Sequence, residues 1–424
     1  MLKVLTNSWA LLLGIGLLMV GNGLQATLMG VRGSIEGFST FELSIVTSAY
    51  FAGFLGGSRL APEMIRRVGH VRVFAALGSL ISAALILFPV VADPWFWTAM
   101  RLVIGFGFSG VYVTAESWLN NTASNETRGQ TLSAYMIVQM IGIVSGQAIL
   151  AGGNPEGYVL FIIPSVLVSI SFAPILLSIA PTPAFSTTKS MSLRQLFVNS
   201  PLTFVSMTIL GSVFAALFGM GSVYATEVGL SVGQVSTFIA VIFIGAMVLQ
   251  YPIGWASDRM DRRQLIFGVA VTGAVASTIG YVAGTNFNVL LALAFVMGGT
   301  TNPLYSLLIA YLNDYLEPED MAAASGGLIF INGLGAIAGP VVTGYMMGAM
   351  GAQGFWLYMA VLMFAISAYS LYRMTQRAAT PVDETNAYVS VMPTATTVAV
   401  EAAQEWAIDQ ADEAETPPEP VWTQ

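Results

Sequence analysis

The sequence predicts an all-α membrane protein of twelve transmembrane helices, arranged as two bundles of six. Of the 424 residues, 55% are hydrophobic and only 9% are charged, whereas soluble domains carry about 25% charged residues. Apolar runs of about 20 residues, the length that crosses a hydrocarbon core, also recur along the whole chain. We place the spans near residues 8–30, 40–60, 73–91, 95–118, 130–152, 158–180, 201–224, 232–256, 264–284, 288–313, 322–346 and 354–374.

The first span follows Lys3 and ends near Ala26, so it also has the outline of a secretory signal peptide. We favour an uncleaved helix because the apolar run is long and because its copy in the second half lies well inside the sequence. The run at 8–30 is therefore counted as the first span.

Basic residues predict the orientation of the spans, because cytoplasmic loops of membrane proteins carry an excess of Lys and Arg. With both termini in the cytoplasm, one side of the membrane holds nearly all the bases, whereas Arg32 falls on the opposite side and Arg101 lies inside a span. The tryptophans before residue 375 lie near span ends, where indole rings favour the headgroup region. We therefore expect a multi-pass protein with both termini cytoplasmic.

The net charge of −8 resides in the C-terminal tail. Residues 375–424 contain nine carboxylates and one base, Arg377, whereas the preceding residues contain 14 acidic and 14 basic side chains. A tail of this charge, with several prolines and few large apolar residues, does not bury enough surface to fold alone. We predict a disordered acidic tail over 377–424, with a motif that folds on a partner as the alternative.

An internal repeat with an offset of 193 residues relates the two halves. The Leu-Asn-Asn at 119–121 matches the Leu-Asn-Asp at 312–314, and two glycines of the fifth span match two of the eleventh. Because each half holds an even number of spans, the halves run parallel through the membrane. The predicted domains are an N-terminal bundle (1–182), a cytoplasmic linker (183–199), a C-terminal bundle (200–376) and the tail (377–424).

Composition excludes several classes of function. The chain has no cysteine and one histidine, His70, so thiolate chemistry, disulfides and His/Cys zinc sites lack their residues. No basic excess is available to neutralise nucleic acid, no phosphate-binding loop of a nucleotide-driven pump occurs, and no paired carboxylates indicate a catalytic pocket. We predict that the protein is not an enzyme and uses no metal, cofactor or nucleic-acid partner.

A basic motif after the eighth span carries a family resemblance. Residues 254–263 read Gly-Trp-Ala-Ser-Asp-Arg-Met-Asp-Arg-Arg, which resembles the cytoplasmic loop motif G-x-x-x-D-R-x-G-R-R of the major facilitator superfamily (MFS), with Asp261 in place of the usual glycine. The resemblance implies the MFS fold and a conformational latch at the cytoplasmic face, whereas simple positive-inside topology is the alternative. The first-half copy lacks the aspartate, so a latch there would need a substitute carboxylate such as Glu63 or Glu116. The latch residues are Gly254, Asp258, Arg259, Arg262, Arg263, Glu63, Arg66, Arg67 and Glu116.

The fourth span opens with an arginine followed by two glycines, Arg101-x-x-x-Gly105-x-Gly107. The pattern is similar to that of the fourth MFS helix, where the arginine is linked to coupling or to substrate. At about 100° per residue, Arg101, Tyr112 and Glu116 share one helix face. A charge at this depth normally faces protein or water, so we predict a functional role, with a side chain that reaches the periplasmic surface as the alternative.

Neutral polar residues near the span centres are the other candidates for a substrate site. Gln139 in the fifth span corresponds to Asn332 in the eleventh under the 193-residue offset, and side chains at the midplane between repeats are typical of transporter sites. Each residue alone is equally compatible with an interhelical hydrogen bond. The candidate set for substrate is Arg101, Gln139, Asn332, Asn302, Tyr305, Tyr112 and Asn22.

The segments at 116–120, 128–129 and 133–136 also resemble a YcaD-type branch of bacterial transporters. Together the resemblances imply a secondary active transporter, a monomer in the lipid bilayer of the bacterial inner membrane, that moves a small organic solute by alternating access. The family allows proton coupling, but no midplane carboxylate is present to carry the proton. A non-transporting sensor or scaffold whose acidic tail recruits a partner is the alternative.

Overall fold

The computed structural model describes residues 2–122, 125–176, 191–284, 286–382 and 385–415, and within these ranges it contains helices and connecting turns but no strand. The N-terminal half forms α1 (Leu2–Ile35), α2 (Thr40–Val68), α3 (His70–Leu87), α4 (Pro94–Thr122), α5 (Asn125–Gly152), α6 (Val159–Ser171) and α7 (Ala173–Leu176).

The C-terminal half forms α8 (Leu193–Asn199), α9 (Pro201–Ala215), a π-helical turn (Ala216–Met220), α10 (Gly221–Glu227), α11 (Val232–Ser257), α12 (Arg262–Val282), α13 (Phe287–Asn313), α14 (Pro318–Met350), α15 (Gly354–Gln376) and α16 (Thr397–Glu415). The predicted linker is helical in its second part, because Ser192 and Gln195 form a capping box that begins α8. Residues 183–190 of the linker lie outside the described residues.

Ten membrane-crossing segments are long and apolar enough to span a bilayer by length and composition, among the described residues. Each of the twelve predicted spans overlaps an observed helix, and ten of these overlaps meet that criterion. The two exceptions are α2, which is rich in Ser, Thr and Gly, and α6, which has 13 residues and contains Pro164. The all-helical membrane architecture is thus confirmed, whereas the count of twelve is not.

The 193-residue repeat reappears in the packing of the helices. A Cβ added to Gly105 would overlap the carbonyl oxygen of Tyr50 on α2, and one added to Gly298, its repeat partner on α13, would overlap that of Ile242 on α11. The α5–α1 and α14–α9 crossings repeat the pattern with glycines of their own. Small residues permit such close backbone contact, so each half is built on two glycine crossings at equivalent places.

Buried apolar side chains form two main clusters, one centred on α1–α6 and the other on α9–α15. The two halves meet along α2 and α14 and along α5 and α11. We call the end of the molecule where α2, α4, α11, α13 and α15 terminate the basic face, because most arginines lie there, and we call the opposite end the far face. Each half therefore has its own core, and the interface between the halves runs from one face to the other.

The halves are in close contact at the far face. The Ser48 hydroxyl donates to the Ile337 carbonyl across the interface, and Gly344 of α14 lies against Ser44 of α2. At the basic face, in contrast, a vestibule of about 750 Å³ lies between α5 and α11. The interface is thus sealed at one end and open at the other.

Residues 385–415 differ from the predicted disordered tail. Residues 385–396 enter the vestibule, and α16 packs against α4, α5 and α14. Met392, Val400 and Ala403 are buried there. The sequence favours a disordered tail because these residues cannot fold alone, and the alternative is a motif that folds on a partner; small apolar residues of the segment are instead buried against other parts of the same chain. Residues 416–424 of the predicted tail lie outside the described residues.

We expect Gly298→Ala to destabilise the protein, because the added methyl group must push α11 away from α13, and overpacking of this kind costs about 1–3 kcal/mol. The matched control is Gly268→Ala in α12, where an added Cβ meets no atom within 4 Å. Thermal unfolding in detergent should show a lower midpoint for Gly298→Ala than for the unsubstituted protein. Gly268→Ala should not lower the midpoint. Equal unfolding midpoints for the two variants would contradict the prediction, because they would show that α11 can move away from α13 without loss of stability.

Candidate functional site

A cavity of about 90 Å³ lies between the two halves, near the middle of the molecule. Five of the seven predicted substrate residues line it. They come from four helices: Asn22 (α1), Arg101 and Tyr112 (α4), Gln139 (α5) and Asn302 (α13). The structure therefore brings together side chains that are up to 280 positions apart in the sequence.

Aromatic rings form most of the remaining wall. Tyr50 and Phe51 of α2 face Phe214 and Phe218 of the second half across the cavity, and the Phe51 and Phe214 rings meet edge to face at 6.4 Å. A largely apolar wall with a few fixed polar groups is the usual composition of a small-molecule site. The wall is completed on the basic side by Met392 and Thr394 of the C-terminal segment.

Arg101 enters the cavity from α4 and is held by two uncharged groups. Its Nη1 donates to Gln25 Oε1 at 2.9 Å, and its guanidinium carbon lies 4.5 Å from the centre of the Tyr50 ring, a cation–π distance. Arg101 is 5% exposed, so it does not reach the periplasmic surface as the alternative expected. In the described ranges no carboxylate forms an ion pair with it.

The amides around Arg101 are positioned by helix-to-helix hydrogen bonds. Asn22 Nδ2 donates to the Tyr112 hydroxyl at 3.1 Å, and that hydroxyl donates to Met19 Sδ at 3.3 Å. Gln147 Nε2 donates to the Gly23 carbonyl at 2.8 Å. These bonds join α1 to α4 and α5, so the polar lining residues of the first half are held by contacts within that half.

Three buried polar atoms of the wall have no hydrogen-bond partner among the described residues: Arg101 Nε, Asn302 Nδ2 and Gln147 Oε1. An unpartnered buried polar group costs about 1–3 kcal/mol, and native proteins keep few of them. Two of the three are donors, and one of these carries a positive charge. The cavity wall therefore presents two unpartnered donors, one of them cationic, and one unpartnered acceptor.

Two predicted substrate residues lie elsewhere. Asn332 lines a smaller adjoining cavity, which shares Tyr50, Phe51 and Phe214 with the central one, and its Nδ2 lies 3.4 Å from the Met207 carbonyl oxygen. Tyr305 is fully buried within the second half and lines neither cavity. Both residues lie on helices that border the interface, but sequence depth alone does not say which way a side chain points.

Several residues that line the cavity or position its side chains were missed by the sequence reasoning. Gln25, which orients Arg101, lies one turn after Asn22 on α1 and was recognisable as a second intramembrane amide. The aromatic residues Phe51, Phe214 and Phe218 carried no such signal, because phenylalanines are also common on lipid-facing surfaces.

The basic motif of the second half forms a buried ion pair that the sequence did not predict. Arg262 is paired with Asp314, and each side chain is 2% exposed. Asp258 lies 3.6 Å from the same guanidinium, and Arg262 Nε donates to Ser257 Oγ at 3.0 Å. Burial raises the pKa of Asp314 above its ordinary value, although the charge of Arg262 opposes that rise. The repeat offered a signal, because Asp314 replaces an asparagine of the first half.

Asp261, which replaces the usual glycine of the motif, begins α12. Its Oδ1 accepts from the Arg263 backbone N–H at 2.9 Å, and its carboxylate takes two further bonds from the Arg263 guanidinium. Partial burial alone would raise the pKa of Asp261, but these bonds outweigh it and hold the pKa below its ordinary value. The substitution therefore supplies a helix cap and an ion pair.

The predicted latch residues do not join the two halves in this structure. Glu63 pairs with Arg66 and Arg67 on its own helix at the surface, and each ion pair of the second-half motif stays within that half, as far as the described residues show. Glu116 was expected to pair with loop arginines, but it accepts from the Tyr135 hydroxyl at 2.9 Å and from Thr396. The basic-face ends of the two halves are separated by the vestibule. This separation explains why no ion pair of the described latch residues connects the halves.

The chain resembles known transporters over most of its length. A family model described as Major Facilitator Superfamily matches residues 11–231 and 202–407. The MFS-type transporter YcaD of Escherichia coli O7:K1 (strain IAI39 / ExPEC) is 26% identical over 345 residues, 80% of this chain and 88% of the relative. A mutant of the nucleoside transporter NupG superposes with a TM-score of 0.76 at 15% identity, covering 86% of this chain and 99% of that one. A bacterial homologue of the human lysosomal transporter Spinster gives 0.65 at 14%, covering 96% and 98%.

We expect Arg262→Gln to destabilise the protein by about 3–5 kcal/mol, because it leaves the buried Asp314 carboxylate without its cation. Arg259→Gln is the matched control, since Arg259 is exposed, donates to the Trp255 carbonyl and lies over the Trp255 ring. Thermal unfolding measures both. The double variant Arg262→Met with Asp314→Leu should recover much of the loss, and failure of Arg262→Gln to lower the midpoint further than the control would contradict the assignment.

Proposed function

The chain belongs to the major facilitator superfamily, and on that premise we propose that it is a secondary active transporter that moves a small organic solute with a negatively charged group. The observation that carries the proposal is Arg101, a buried cation that lines the central cavity with no carboxylate partner in the described ranges. Membership of a transporter family also means that the chain is not an enzyme. A monomer in a bacterial inner membrane is part of the proposal.

The arrangement of the two halves supports alternating access. The interface is closed at the far face by Ser48 and Gly344 and holds a vestibule at the basic face. Two parallel repeats around a central site are the architecture in which one bundle rocks against the other. We assign the basic face to the cytoplasm because it carries the arginines, so this conformation faces inward.

We propose that α2 and α6 are the remaining two spans, which makes twelve. Helix α2 has 29 residues, about 43 Å at 1.5 Å per residue, which exceeds the hydrocarbon thickness. Its polarity fits its position, since it packs between α4 and α14. Helix α6 is short as described, but α7 follows it directly, and the rest of the predicted sixth span lies outside the described residues.

An anionic solute follows from the energetics of Arg101. A charge in a low-dielectric interior is costly unless it is paired, and the Gln25 amide and Tyr50 ring compensate it only in part. A bound carboxylate or phosphate would complete the pairing and would also accept from the unpartnered Asn302 Nδ2. The Gln147 Oε1 would accept from a hydroxyl or amine of the same solute. The site therefore favours an anion with at least one further polar group.

Proton coupling, if it operates, has one plausible carrier near this cavity. The lining residues include no carboxylate and no histidine, whereas Glu116 is buried on the same helix as Arg101 and Tyr112. Intramembrane carboxylates of this kind commonly mark proton pathways. We assign any coupling proton to Glu116, and flux into liposomes that is unchanged after a pH jump would remove the coupling from the proposal.

The scaffold alternative receives less support than transport. It required a free acidic tail that recruits a partner, whereas residues 385–406 are packed between the halves. A scaffold function also does not explain a buried cavity that is lined by unpartnered polar atoms. Transport therefore accounts for both features.

We expect Arg101→Gln to lower solute affinity by about 10- to 100-fold, because a charge-assisted hydrogen bond contributes about 1.5–3 kcal/mol. Small carboxylates and organic phosphates are first screened for a rise in the unfolding temperature, since a ligand of the folded state stabilises it. Uptake of any hit into liposomes is then measured. Arg101→Lys should retain part of the affinity, and Arg32→Gln, at the far face beside Glu36, should retain all of it. Stabilisation by neutral solutes alone, unaffected by Arg101→Gln, would overturn the anion assignment.

A further inference from the structure

We propose that the vestibule is a binding site for residues 386–406 of the same chain, and that docking of this segment holds the protein inward-facing and blocks the path between the cavity and the basic face. We call residues 386–406 the plug. The inference rests on the proposed function, because it assumes that the cavity carries solute. It goes further in assigning an internal ligand that competes with transport.

The plug forms specific hydrogen bonds to the second half. The Asp258 carboxylate accepts from the Tyr388 backbone N–H at 2.9 Å, and Gln250 Nε2 donates to the Tyr388 hydroxyl at 2.8 Å. Ser306 and Val391 exchange two bonds, of 2.9 and 3.0 Å. Such pairing of main-chain groups with buried side chains is what a recognised peptide shows.

The plug is bound to the first half as well. The Glu116 carboxylate, 4% exposed, accepts from the backbone N–H and the hydroxyl of Thr396. Arg128 of α5 forms an ion pair with Glu405 at 3.1 Å. Because the plug binds both halves, it fixes the distance between them at the basic face for as long as it is docked.

Apolar contacts place the centre of the plug between the halves. Met392 is 6% exposed and packs with Met140 of α5 and Ala246 of α11. The helical part continues the contact, with Ala399 and Ala403 buried at 5% and 3% exposure. The Met392 side chain therefore keeps α5 and α11 apart for as long as the plug is docked.

The plug also forms the floor of the solute cavity. Met392 and Thr394 line the central cavity on its basic side. With them in place the cavity measures about 90 Å³, whereas sites for small molecules usually measure about 300–1,000 Å³. A solute larger than a few heavy atoms therefore has no room in the central cavity while the plug is docked, and Met392 and Thr394 stand between that cavity and the basic face.

Docking selects one conformation. In an outward-facing state the basic-face ends of α5 and α11 approach each other, and the volume that holds residues 388–406 closes. The plug contacts Asp258, Gly254 and Arg262 of the predicted latch, so it also occupies groups that would otherwise be available to bridge the halves. A ligand that binds only one of two states shifts the population toward that state by its binding free energy.

The test uses the absence of cysteine from the chain. A single Ser44→Cys is placed in the far-face seal, where Ser44 is fully buried, and reports outward opening through its reaction rate with a membrane-impermeant maleimide. Chains that end after residue 382 and after residue 415 are compared with the full chain. We expect the shorter chain to react about tenfold faster, equivalent to about 1.4 kcal/mol of docking free energy, and the longer one to react at the full-chain rate.

Point variants keep the test independent of truncation. Ala403→Glu in the full chain places a carboxylate at a buried plug position and should reproduce the faster rate. The matched control Ala378→Glu, at an exposed position that precedes the plug, should stay within about twofold of the full-chain rate. A second probe, Ala399→Cys, should be slow to react until Ala403→Glu is introduced. Fast reaction of Ala399→Cys in the full chain would show that the segment is not docked and would overturn the proposal.

Transport and docking fail in distinguishable ways. If the Ser44→Cys rate rises on plug removal while no solute is transported by any chain, docking stands and the proposed function fails. If solute flux and the Ser44→Cys rate are both the same with and without the plug, the proposed function stands and the plug has no role. Faster flux together with faster labelling supports both.

Discussion

The low dielectric of a hydrocarbon core is the constraint on which the rest of this structure depends. Charges that cannot be hydrated must lie at the faces or be paired, and the chain follows this rule closely: its membrane body is formally neutral, and its arginines are gathered at the basic face. Arg262 lies deep at that face, and it has Asp314 as a buried partner. Arg101 and Glu116 are the exceptions, since both are buried and neither forms an ion pair in the described ranges. Arg101 is held by an amide and an aromatic ring, whereas Glu116 accepts from the Tyr135 hydroxyl and from Thr396.

The glycine crossings hold the helices of each half tightly together. Within each half, α2 on α4 and α11 on α13 approach until a methyl group at Gly105 or Gly298 would meet backbone, so relative sliding of these pairs is costly. Between the halves, the described contacts at the far face include the Ser48 hydrogen bond and the contact of Gly344 with Ser44. A stiff interior beside a separable interface concentrates motion at the interface, which is what rocking about a central site requires.

Sequence reasoning was most successful where a property is summed over many residues. Span positions follow from hydropathy over about 20 residues, and the repeat follows from paired glycines, so both reappear in the structure. The direction of a single side chain is harder to predict, because neighbouring residues of a helix point about 100° apart around its axis. Asn22 and Gln139 therefore line the cavity, whereas Tyr305, chosen by the same criterion of depth, is enclosed in the second half. Contacts between distant segments, such as Arg262 with Asp314 or Glu116 with Thr396, have no local signal at all.

The tail shows why composition misjudges a segment whose partner is in the same chain. The composition of residues 385–415 predicts that they cannot fold alone. The structure agrees with this, because the segment is packed against other helices of the same chain. Alanine, valine and threonine side chains too small to form a core fit a narrow vestibule whose walls supply Met140, Ala246 and Glu116. A segment that orders only on docking loses conformational entropy as it binds, so its net docking free energy is smaller than its contacts suggest. Weak net docking of an otherwise specific peptide is the condition under which it can leave, and a plug that could not leave would abolish transport instead of regulating it.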